Sequence, residues 1–179
     1  MPVDDGTCGQ VHRRFAQNRH DPRMSRSQKP TKPSIGNALP DLCAEPLPDD
    51  AAIEQRIRRL LADAPLPRRA ALWLILIGPD DRQVPVIIPV DDTPARPSSE
   101  LVDGIARLLS DLTTGPGGVA PGASVVFALE RPGSSLVGPD DVAWFAALHA
   151  RASAFEIRVR GVYLVAGAQV RPVTLDDAA

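Results

Sequence analysis

Three carboxylates and two hydroxyls crowd one short stretch of this chain: Glu130, then Ser134 and Ser135, then Asp140 and Asp141. Glu130 closes an apolar run and the two aspartates open a helical pattern. Such a set can do general acid–base work as paired carboxylates, or hold a divalent ion such as Mg²⁺ through oxygen ligands for hydrolysis. The same residues also have a plainer use. Acids at a helix start accept from free backbone N–H groups and sit well with the helix dipole, and Arg131 stands ready to pair with Glu130 or Asp141. The plainer use is the expected one. Ser134 and Ser135 need a base beside them to act as nucleophiles, and beyond residue 48 the only histidine is His149, mid-helix among alanines and an arginine. The serines therefore read as loop residues and His149 as a surface residue, so no residue is assigned a catalytic role.

Metal and cofactor chemistry finds little purchase. His12, His20 and His149 lack the spacing of zinc ligands, and Cys8 and Cys43 stand far apart in a stretch expected to be unfolded. Free thiols are the expectation for both. The run Gly115-Pro116-Gly117-Gly118 is not a phosphate loop, because no Gly-Lys-Ser/Thr follows and the chain continues into a strand. No cofactor is expected.

Charge is unevenly placed. Up to Pro48 there are seven basic and five acidic residues, with every basic one between Arg13 and Lys32; from Asp49 onward thirteen basic residues face seventeen acidic ones. The segment 13–32 can touch nucleic-acid phosphates without sequence preference, although such arms are commonly solvated tails. The aromatics Trp73, Phe127, Trp144, Phe145, Phe155 and Tyr163 fall in expected strands and helices, where core packing is their ordinary use. A base-stacking surface is not expected.

Residues 1–48 are expected to form a disordered, basic, Pro-rich arm, since they hold few large apolar residues and many breakers. Met24 is a second candidate start. Residues 49–179 are expected to fold as one globular domain. A helix is predicted from Asp49-Asp50 through Ile53, Ile57, Leu60 and Leu61, then a buried strand over 70–77 and a return strand over 84–90. Pro85 and Pro89 require that return strand to face an edge, a bulge or a loop. A second helix carries Leu101, Val102, Ile105, Leu108, Leu109 and Leu112 on one stripe. A buried strand over 123–129 leads to a helix with Val142, Trp144, Phe145, Leu148 and Ala152 inward. A final hairpin runs from Glu156, with Ile157, Val159, Gly161, Tyr163 and Val165 on one side, turning at Gly167-Ala168 into 169–173. The fold class is α/β (α+β): a single mixed sheet of about five strands flanked by helices, in the order α-β-β-α-β-α-β-β. No apolar run approaches the ~20 residues of a membrane span, and Met-Pro-Val-Asp-Asp at the start lacks a secretory apolar region. The reading is a cytoplasmic protein.

The stretch Val125-Val126-Phe127-Ala128-Leu129-Glu130-Arg131-Pro132-Gly133-Ser134, with Gly138-Pro139-Asp140-Asp141 opening a helix and a strand ending at Val165-Ala166-Gly167, resembles the RadC-like branch of the JAB/MPN (JAMM) metallopeptidase fold. In that family a strand ends in His-x-His-Pro-Ser-Gly and Ser-x-x-Asp opens the next helix, the histidines and aspartate holding zinc. Here Leu129 and Arg131 stand at the histidine positions, Gly138 or Pro139 at the serine, and only Asp140 or Asp141 remains as a ligand; the loop is also about one residue short. One carboxylate cannot hold a catalytic zinc, which takes three protein ligands and an open position. Arg131 adds a permanent cation where the metal would sit. The resemblance thus implies a degenerate, metal-free member with Leu129, Glu130, Arg131, Ser134, Asp140 and Asp141 as relics of the site. Its expected role is that of a protein-interaction or scaffold module with an unknown protein partner. A divalent-metal hydrolase using Glu130, Asp140 and Asp141 is one alternative, and a nucleic-acid-associated protein working through its arm is another.

Overall fold

The uninterrupted apolar run Ala71–Ile77 forms strand β1 at the interior of a sheet, where both of its faces are covered. The structure, a computed structural model, describes residues 43–61, 70–115 and 117–178. All of them belong to one compact unit. Helix α1 (Asp50–Leu61) precedes β1, which turns into β2 (Gln83–Asp91); helix α2 (Ser99–Thr113) leads to β3 (Ser124–Glu130), and helix α3 (Pro139–Ala154) to the hairpin β4 (Val159–Ala166) and β5 (Gln169–Pro172). A short 3-10 turn, Leu175–Ala178, follows. The strands lie in the order β2-β1-β3-β4-β5. β3 and β4 pair in parallel and the other neighbours antiparallel. This is the expected mixed five-stranded α+β architecture. The predicted disorder of residues 1–42 and the basic segment 13–32 lie outside the described residues.

Two apolar layers explain why β1 and β3 are hydrophobic throughout. Leu72, Leu74, Leu76, Val125, Phe127 and Leu129 point to α2 and α3, meeting Val102, Ile105, Leu109, Trp144 and Leu148. Their alternates Ile75, Ile77, Val126 and Ala128 point the other way, to Ile53, Ile57 and Leu60 of α1. The stripe predicted for α2 is correct except for Leu108, which is 39% exposed; Ala106, outside the predicted stripe, is buried as well. β2 is an edge strand, which settles how it tolerates Pro85 and Pro89. Among the described residues no helix is long and apolar enough to cross a membrane.

Two expectations need correction. The last hairpin does not carry Ile157, Val159, Gly161, Tyr163 and Val165 on one face. Ile157 and Val159 pack with α2 and α3, whereas Tyr163 and Val165 pack against α1. The cause is an irregularity in the β3–β4 register, where Val125 pairs with Val159 but Val126 with Gly161; one extra residue reverses the alternation. The boundary at residue 48 also shifts, because Leu47 is 3% exposed and Pro46 bridges Arg82. Arg56, itself 2% exposed, anchors this stretch by donating to Gln83 Oε1 (3.1 Å) and to Glu45. Burial lowers the pKa of Arg56, the Glu45 carboxylate opposing it.

Candidate functional site

The singled-out residues gather where β3 ends and α3 begins. Arg131 continues the strand by donating its backbone N–H to Val165 O (3.0 Å), and its side chain then reaches across the loop to Asp141. Nε meets Oδ1 at 2.9 Å and Nη2 meets Oδ2 at 2.8 Å, a bidentate fork between a planar cation and a carboxylate. The remaining reach of the guanidinium goes to two loop carbonyls, Ser134 O at 2.8 Å and Leu136 O at 3.0 Å. Asp141 also accepts from Gly138 N at 2.8 Å, closing the first turn of α3. The loop is thus wound around Arg131. Hydrogen bonding to Asp141 raises the pKa of Arg131, partial burial opposing it.

Strand alternation turns the Glu130 side chain away from the Arg131–Asp141 fork. Val126 and Ala128 face α1, so Glu130 does as well, and its Oε2 accepts from the indole of Trp73 at 2.8 Å. Of the two carboxylates weighed as partners for Arg131, it is Asp141 that pairs. Asp140 points outward to Arg96, whose Nε lies 2.7 Å from Oδ1. Ser134 is exposed, and its Oγ accepts from Leu136 N within the loop. Leu129 is buried against α2 and α3. Leu129, Glu130, Arg131, Asp140 and Asp141 all line one pocket of about 260 Å³, together with Pro94 and Trp144. The three carboxylates that border it bond to different partners, Glu130 to Trp73, Asp140 to Arg96 and Asp141 to Arg131. Among the described residues no group of three or more His, Cys, Asp and Glu side chains is placed to hold a metal ion.

Several contributors escaped sequence reasoning. The segment after β2 lies over the pocket because Trp144 Nε1 sits 3.2 Å from both Pro94 O and Ala95 O, and this brings Arg96 to Asp140. Nothing in the local pattern of 92–97 signals that placement. His149, expected on the surface, is half-buried with its ring centroid 4.4 Å from that of Phe145, and this burial lowers its pKa. Cys43 is a free thiol whose pKa burial raises, and Cys8 lies outside the described residues.

A second concavity, more apolar and larger, opens on the α1 face. It measures about 460 Å³ and lies between the end of α1 and the edge of the sheet, lined by Leu60, Leu61, Trp73, Ile75, Ile87 and Pro89. Side chains of β1 and β2 form its floor, and α1 walls one side. The edge itself is poorly suited to receiving another strand. Trp73 pairs with Pro89, and a proline fits an intact ladder only with its nitrogen turned outward. Pro85 falls in the irregular stretch between the Ile75–Ile87 and Ile77–Gln83 pairs, so the regular ladder is interrupted there as well. Side chains, not backbone, are what this surface offers.

Comparison with protein-family models, with curated proteins and with solved structures gave no match.

Proposed function

We propose that the domain is a non-catalytic, metal-free RadC-like module that works by binding a protein partner. The observation that carries this reading is the fate of Arg131. Four of the five N–H donors of its guanidinium are taken by Asp141 and two loop carbonyls. With Trp73 on Glu130 and Arg96 on Asp140, each carboxylate of the corner has a partner within the protein, the exposed Arg96–Asp140 pair being the loosest. A functional polar site keeps a group unsatisfied or perturbed until its ligand arrives. This one spends its charges on shaping a loop.

The surface that fits binding is the apolar groove beside β2. Half-buried Trp73 and Ile87 and exposed Pro85 and Pro89 offer a rigid floor for a protein segment presenting bulky apolar side chains. The test is an affinity capture from native lysate with the tagged full chain, run beside Ile87→Asp and beside Asp140→Ala combined with Asp141→Ala. The reading expects one stoichiometric partner, lost with Ile87→Asp and retained with the aspartate variant, and no stoichiometric metal by elemental analysis. Stoichiometric zinc, or a turnover that the aspartate variant abolishes, would replace it with the hydrolase.

A further inference from the structure

Between β2 and α2 the chain crosses over α3, and both ends of the crossing are anchored. Buried Thr93 donates its backbone N–H to Ala70 O at 3.1 Å beside the start of β1, and Ser98 caps α2. The span between them, residues 94–97, is held differently. Among the described residues it makes no backbone–backbone hydrogen bond, and two of its four residues, Pro94 and Pro97, have no N–H to give. Pro94, Ala95 and Arg96 are all exposed. Two side chains of α3 hold the span down. The Trp144 indole lies 3.2 Å from the carbonyls of both Pro94 and Ala95, and Asp140 Oδ1 lies 2.7 Å from Arg96 Nε. The first contact is buried, with Trp144 only 3% exposed, whereas the second stands in solvent.

We propose that residues 94–97 are a gate on the β3–α3 pocket: the span lifts off Trp144 while the rest of the domain stays folded, and the Arg96–Asp140 pair is the latch that sets how often it does so. Pro94 and Ala95 belong to the lining of that pocket together with Leu129, Arg131 and Asp141, so lifting the span removes part of the wall. Few bonds oppose the motion. One shared indole donor and one ion pair are lost, and no strand or helix hydrogen bond is broken. Segments that open well below the free energy of global unfolding have this character, with solvent-exposed backbone and few buried contacts. The other side of the pocket stays in place, because Arg131 is forked to Asp141 and tied to the carbonyls of Ser134 and Leu136. A rigid floor thus meets a loosely held rim. Salt screens an exposed pair, so the latch couples opening to ionic strength and to any charged group that competes for Arg96 or Asp140. The gate concerns the corner pocket and not the groove, and it stands whether or not a partner docks beside β2.

Hydrogen exchange of the Trp144 indole proton reads the gate, because that proton is shared between two carbonyls of the span. The full chain has two tryptophans and hence two indole N–H resonances, which Trp73→Phe tells apart. The Trp144 proton is expected to exchange faster than the slowest core amides, through local opening. Arg96→Met is expected to speed it about two- to fivefold, the range that an exposed pair spans. The Trp73 proton, bound to Glu130, and the unfolding midpoint should both stay where they are. Raising the salt from about 0.01 to about 1 M, which shortens the screening length from ~30 to ~3 Å, is expected to speed the unaltered chain by a similar factor and the Arg96→Met chain by little. A Trp144 proton that exchanges only with global unfolding overturns the gate. So does an exchange rate indifferent to Arg96→Met, since the latch would then hold nothing. If Arg96→Met speeds both indole protons equally, the pair stabilises the whole domain and the proposal falls as well.

Discussion

The ring of Tyr163 covers the bare α-carbon of Gly161, two residues earlier on β4, so closely that a β-carbon there would lie 2.7 Å from Cε2 and 3.3 Å from the phenolic oxygen. The ring cannot retreat, because Tyr163 is 1% exposed and its hydroxyl is 3.3 Å from Asp50 Oδ1 at the start of α1. Burial, with Asp50 adding to it, pushes the phenol well above its ordinary range, so it remains a neutral donor. Gly161→Ala is expected to cost about 1–3 kcal/mol through overpacking. Combining it with Tyr163→Leu should give a loss smaller than the sum, the mark of a shared contact; urea unfolding of the four proteins checks this.

Arg131→Met removes the cation and leaves Asp141, whose side chain is 6% exposed, without its fork. Breaking a buried pair from one side costs ~3–5 kcal/mol. Arg131 is itself 27% exposed, so water recovers part of that, and about 2 kcal/mol is the expected loss. Arg96→Met serves as the comparison. Its pair with Asp140 is largely exposed, and its unfolding midpoint should barely move.

His149 provides the expected pH dependence. Burial against Phe145 lowers its folded pKa below the ordinary value near 6.5, so the unfolded chain takes up the proton first. Folding stability is therefore unaffected by this residue above that value and falls as pH drops through it, levelling off once the folded state also protonates. His149→Gln should flatten this limb. Unfolding midpoints at pH 7.5 and 5.5 for both proteins decide it, and an equal slope in the variant would assign the pH dependence to other groups.

Ser98 caps α2 by accepting from Leu101 N at 3.2 Å, in extended backbone geometry. Ser98→Ala should cost about 1 kcal/mol and Ser98→Gly only a few tenths, because glycine leaves the end open to water. Thermal unfolding of the two variants measures the difference.

The sequence by itself determined which segments became strands and helices, since that information is periodic and local. Apolar runs without alternation named β1 and β3 as interior strands, prolines restricted β2 to an edge, a bulge or a loop, and Asp140-Asp141 marked a helix start. What local pattern does not contain is the identity of partners remote along the chain. Glu130 ended on Trp73, 57 residues away, and Asp140 on Arg96, 44 residues away, because the strand alternation of β3 and the loop held by Trp144 decided which side chains met. The reversal at Gly161 came from a β3–β4 register irregularity, which exists only once two strands are paired. Three carboxylates close in sequence were thereby given three different hydrogen-bond partners around one pocket, and that division is a property of the tertiary structure alone.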